Sequence, residues 1–91
     1  MKDNKSSSQQ SNLLDGIAVF VQVVNSKSFV KAADKMSHST SYISKEVSKL
    51  ETRLGVRLLH RTTRTLSLTP EGEVYFLQCQ QIIEDAMQVE N

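Results

Sequence analysis

Ser41, Ser44, Lys45 and Ser48 recur at spacings of 3, 1 and 3, which gathers them on one arc of a helix turning 100° per residue. Exposed helix faces favour Glu, Lys, Gln and Ala, and serine is a mediocre helix former. Small hydroxyls beside an ammonium group let another surface approach closely, and they donate or accept hydrogen bonds there. Ser39, Thr40 and Tyr42 extend this polar set, Ser28 and Lys31 precede it, and Arg61, Thr63 and Arg64 follow it. The charge pattern points the same way. Residues 27–64 hold nine Lys or Arg against Asp34, Glu46 and Glu51, a net of +6, whereas residues 65–91 hold five acids and no Lys or Arg, a net of −5. The +1 of the whole chain hides this division. A basic middle segment is a candidate phosphate-binding surface, although charge alone is more often a solvated face.

Other chemistries find no support. His38, His60 and Cys79 make no metal-ligand spacing. No nucleophile stands in a motif with a base and an orienting partner. There is no Gly-rich phosphate loop of the GxGxxG or Walker A type. The sequence therefore predicts no enzyme, no cofactor and no metal. One cysteine cannot close an internal disulfide and fits a reducing compartment. No window approaches the ~20 apolar residues of a membrane span, and the polar start does not suit a signal peptide.

The polar arc needs elements to hold it. Residues 1–12 are Ser, Gln, Asn, Lys and one Asp with one apolar residue, which predicts a disordered tail. From Leu13 a stripe of Leu13, Ile17, Phe20, Val21 and Val24 predicts a helix, capped by Ser11 or Asn12 and ended by Asn25-Ser26-Lys27. Ser28 is an N-cap candidate for a short second helix with Phe29, Ala32, Ala33 and Met36 inward. Its paired alanines permit close helix packing. Ser39 can cap a third helix, whose core stripe is Ile43, Val47, Leu50 and Leu54 and whose far side is Ser41, Ser44, Lys45, Ser48 and Thr52. Gly55 suits the residue that closes it.

Leu66 and Leu68 alternate with Thr65 and Ser67, so 56–68 predicts a two-stranded hairpin with a Thr and Arg tip. Arg61 lies on a strand, where it has the alternative of turning inward to a salt bridge. Thr69-Pro70-Glu71 opens a fourth helix, with Thr as N-cap, Pro at the first position and an acid in the first turn. Along it Tyr75, Cys79, Ile82, Ala86 and Val89 step as a heptad seam, suited to pairing with a second copy. Cys79 on that seam reads as a small buried apolar residue.

The expected fold is mainly α: a winged helix-turn-helix of three helices and a two-stranded wing over 13–69, followed by a long dimerisation helix over 70–91. In that arrangement the second helix braces the third, whose polar face is sized for a DNA major groove. The wing arginines would then meet phosphates or the minor groove.

The stretches SFVKAADKM and SHSTSYISKEVSKLETRLGVRLLHRTTRTLSLTPEGE resemble the N-terminal DNA-binding domain of LysR-type bacterial transcriptional regulators. The motifs SF..AA, S..S[RK]..S.LE, LG(V)RLL.RT.R and LT.EG occur here in order. The resemblance covers about Leu13 to Asn91, and RTTR at the wing resembles one branch of the family. It implies a cytoplasmic, nucleoid-associated homodimer that binds an inverted-repeat promoter site. It also implies that base and phosphate contacts fall on Thr40, Ser41, Ser44 and Lys45, with Ser28, Lys31, Thr63 and Arg64 toward the backbone or minor groove. Three positions depart from the pattern: His38 stands where an apolar residue is usual, Tyr42 where a small or apolar one is, and Lys45 where arginine is common. A larger ligand-sensing domain normally follows in the family. This chain is expected to be an isolated DNA-binding domain, and no inducer is expected for it. The alternative is a dimerising winged-helix interaction module that forms mixed dimers with full-length regulators.

Overall fold

The computed structural model describes the backbone of residues 4–61 and 66–90 and the side chains of 13–61 and 66–89. Four helices and one hairpin follow in the order α1 (Asn4–Ser26), α2 (Phe29–Met36), α3 (Thr40–Leu54), β1 (Leu59–Arg61), β2 (Leu66–Leu68) and α4 (Pro70–Glu90). Helices α1 to α3 pack on one another, β1 and β2 pair antiparallel, and α4 packs against α1.

The boundaries follow local chemistry. Ser28 is extended, and its Oγ accepts from the Lys31 backbone N–H at 3.1 Å, capping α2. Ser39 does the same for α3, accepting from Tyr42 N–H at 3.1 Å. Each cap satisfies one of the donors that a helix start leaves without a partner. Gly55 closes α3 in the left-handed region, at φ 76°, where a residue without Cβ carries no steric penalty.

The start of α4 is held twice. Thr69 Oγ1 accepts from Gly72 N–H at 2.9 Å and donates to the Arg57 carbonyl at 2.6 Å. A Cβ at Gly72 would overlap the Leu58 carbonyl oxygen. The Gly of the LT.EG motif is therefore a point of backbone contact, where α4 rests on the strand leading into the wing.

The hairpin register is Leu59↔Leu68, His60↔Ser67 and Arg61↔Leu66. Leu66 and Leu68 are half-buried while Ser67 is exposed, as period-two alternation requires.

Two expectations need correction. Residues 4–12, set aside as a disordered tail with a cap at Ser11 or Asn12, belong to the backbone of α1. Once a helix is nucleated each added residue gains a hydrogen bond, and residues 4–12 hold no Gly or Pro to interrupt it. The α4 seam is also divided. Cys79 is fully buried inside its own chain. The Tyr75 ring lies 5.9 Å from Phe20, with Phe76 on the same ring at 6.3 Å. Only the outer part of the seam faces away, with Ile82 48% and Val89 85% exposed and Ala86 exposed as well. The reason is the packing of α4 against α1: a face that covers Phe20 is not free for a partner.

The core is Ile17, Val19, Phe20, Val21 and Val23 of α1, with Ala32, Ala33, Ile43, Val47, Leu50, Leu58, Leu59 and Cys79. Val19 and Val23 lie off the predicted stripe. They are buried because α1 packs against α2, α3 and α4 together. Among the described residues no helix is long and apolar enough to cross a membrane.

Candidate nucleic-acid interface

Helix α3 carries the predicted polar arc. Ile43, Val47 and Leu50 are buried, and this fixes the rotation of the helix, so the opposite arc faces solvent. Ser41 and Lys45 are exposed and Ser44 and Ser48 half-buried, which brings the four predicted arc residues together on one surface. Thr40 is exposed at the first turn, beside the Ser39 cap. Ser28 and Lys31 sit together at the start of α2. Ser28 and Ser39 each accept one capping bond at the hydroxyl oxygen, so their first role is to set where the helices begin. Thr63 and Arg64 lie outside the described residues.

Tyr42 stacks on His38, with ring centroids 4.2 Å apart and planes 29° from parallel. These are two of the three departures from the family pattern, and they are partners: one ring replaces an apolar residue in the turn, the other covers it from α3. Burial first, and the Glu46 and Asp15 carboxylates next, raise the Tyr42 pKa above its ordinary value. The phenol thus keeps its proton and remains a donor.

Arg61 takes the inward alternative in part. Its Nη2 donates to Glu51 Oε1 and its Nη1 to Ser48 Oγ, both at 3.3 Å, and its guanidinium lies 5.3 Å from the centre of the Phe29 ring. One strand residue therefore touches α2 and α3 at once. Its side chain keeps 26% exposure.

The residue that apolar spacing did not single out is Glu51. It is 6% exposed. Oε2 accepts from Leu58 N–H at 2.9 Å and Leu59 N–H at 3.2 Å, and Oε1 from Arg57 and Arg61, each at 3.3 Å. Four donors on one carboxylate satisfy the requirement that a buried charge be paired. The available signal was an acid at the edge of the apolar arc of α3, with Arg57 and Arg61 following at six and ten residues. Glu46, on the other edge, is 4% exposed and pairs with Lys49 at 3.1 Å. Among the described residues no group of His, Cys, Asp or Glu could hold a metal ion.

A three-helix unit whose third helix offers a polar arc, with a hairpin beside it, is a winged helix-turn-helix. The family model for bacterial regulatory helix-turn-helix proteins of the lysR family matches residues 14–73, and the chain belongs to that family. The HTH-type transcriptional regulator CrgA of Neisseria meningitidis is 51% identical over 69 residues, which is 76% of this chain and 23% of the relative. An HTH-type transcriptional repressor of Pseudomonas aeruginosa is 47% identical over 77 residues, 85% of this chain and 24% of the relative. This chain thus spans about a quarter of the length of the curated relatives it matches. These relatives are described as transcriptional regulators, not enzymes. The crystal structure of a BenM DBD complex with catB site 1 DNA matches with a TM-score of 0.81 at 34% identity, covering 84% of this chain and 85% of that one. The CrgA structure matches with a TM-score of 0.71 at 47% identity, covering 84% of this chain and 26% of that one.

Proposed function

We propose that this chain binds double-stranded promoter DNA as the sequence-reading domain of a LysR-type transcriptional regulator. In this reading residues 13–69 form the DNA-binding unit and 70–91 the linker helix. Helix α3 enters the major groove, where Thr40, Ser41, Tyr42, Ser44, Lys45 and Ser48 reach base edges and phosphates. Ser28, Lys31, Arg61, Thr63 and Arg64 meet the backbone or minor groove. Two copies joined through the outer turns of α4 bind an inverted repeat. The place of action is the cytoplasm, at the nucleoid.

The observation that carries the reading is the polar arc of exposed Ser41 and Lys45 with half-buried Ser44 and Ser48, held opposite a buried stripe on a helix capped at both ends. The DNA complex of a structural relative supports it. The test is a mobility shift at several salt concentrations, using a duplex enriched by the native chain from a randomised pool and a shuffled duplex. Affinity for both should fall steeply with salt, since each neutralised phosphate releases counterions. Lys45→Ala should cost about 1–3 kcal/mol at the enriched duplex and less at the shuffled one. An absence of binding at low salt would overturn the reading.

A further inference from the structure

Arg61 and Glu51 are more than an internal ion pair. The Arg61 fork is fastened on one side to a carboxylate that is almost fully buried, and on the other to Ser48 Oγ, which belongs to the polar arc of α3. Phe29 of α2 lies under the same guanidinium. The cation is thus fixed in plane, at the edge of the surface assigned to DNA. A guanidinium carries five N–H donors. Among the described residues, two hydrogen bonds engage it.

We propose that Glu51 is a positioning residue that acts through Arg61, holding the guanidinium preorganised for a phosphate or base edge at the junction of recognition helix and wing. This rests on the DNA-binding reading above and names the part of the site that such a reading would otherwise treat as scaffold. An arginine on a flexible stem loses side-chain entropy on immobilisation. Here that loss is met during folding, so binding DNA need not meet it again. Glu51 is suited to the task because it does not depend on Arg61 for its own satisfaction. Oε1 is also held by Arg57 and Oε2 by the Leu58 and Leu59 N–H groups, so the carboxylate keeps its place when Arg61 shares its remaining donors with DNA.

The test is a double-mutant cycle in the whole 91-residue chain with Glu51→Gln and Arg61→Ala, measured on the enriched and shuffled duplexes alongside thermal unfolding. Each single change should weaken binding to the enriched duplex about tenfold, and the double variant should lose no more than either. The Arg61 side-chain NMR signals should show a slowly rotating guanidinium in the native chain and a freely rotating one in Glu51→Gln, a signature that loss of stability alone would not give. Arg61→Lys supplies a second arm that leaves Glu51 intact. It keeps the charge but lacks the fork, and it should bind nearly as weakly as Arg61→Ala. Multiplying effects in the cycle, or native affinity in Arg61→Lys, would overturn the inference while leaving the DNA-binding reading in place. Failure of the native chain to bind either duplex would overturn both.

Discussion

Tyr75 and Cys79 meet inside the chain, and each changes how readily the other gives up a proton. Burial first, then the neighbouring Cys79, pushes the Tyr75 pKa up to about 12 from 10.0. Burial likewise raises the Cys79 thiol above 9.0, against a weaker lowering by its hydrogen bond with Tyr75. A thiol held protonated is a poor nucleophile, which fits Cys79 as a small, fully buried residue of the core. The folded state holds both protons more tightly than the unfolded chain does. Their contribution to stability is therefore complete below the unfolded pKa values and is lost as pH rises through the folded ones. Urea unfolding followed from pH ~9 to ~12 should show stability falling across that window, and Tyr75→Phe should flatten the fall. An unchanged slope in Tyr75→Phe would mean that another group drives the alkaline loss.

At the scale of elements, Gly72 is the tightest constraint. The first turn of α4 rests its backbone on the Leu58 carbonyl, and neither of those groups is a flexible side-chain end. Gly72→Ala should cost about 3 kcal/mol, the upper end for overpacking, read as a lowered denaturation midpoint. A near-native midpoint would show that α4 can lift without loss. The LT.EG spacing made the position visible in the sequence, and the Thr69 cap beside it was readable from the preference for Thr before Pro at a helix start. The caps at Ser28 and Ser39 and the closing Gly55 were legible for the same reason: they are local hydrogen-bond chemistry. Long-range partners were not. Val19 and Val23 lie off the α1 stripe because the stripe records one neighbour and α1 has three. Glu51 looked like one more charge, since a carboxylate announces its burial only through the donors that reach it, here from six to ten residues further along.

For the molecule as a whole, the division of α4 decides how assembly relates to folding. Tyr75 and Cys79 belong to the monomer core, whereas Ile82, Met87 and Val89 are exposed. Under the proposed dimer, Ile82→Lys with Val89→Lys should yield monomers by sedimentation, because unpaired charge would be buried at the interface. Their unfolding should remain cooperative and the α1–α3 unit intact. Cys79→Asp should instead unfold the chain. A dimer that survives both lysines would place the interface on another surface. The heptad spacing showed a seam along α4; it could not show that α1 uses the first half.

Because the single chain already closes its core on Phe20, Tyr75 and Cys79, a subunit that left the proposed pair would still be a finished body with no core residue laid bare. Under the proposed dimer, exchange of subunits between pairs would be timed by the parting of a few outer turns of α4, and not by the far slower opening of the fold itself. Related chains that share this helix would mix on that shorter clock, and the composition of the population would follow their relative abundance within the lifetime of each folded chain.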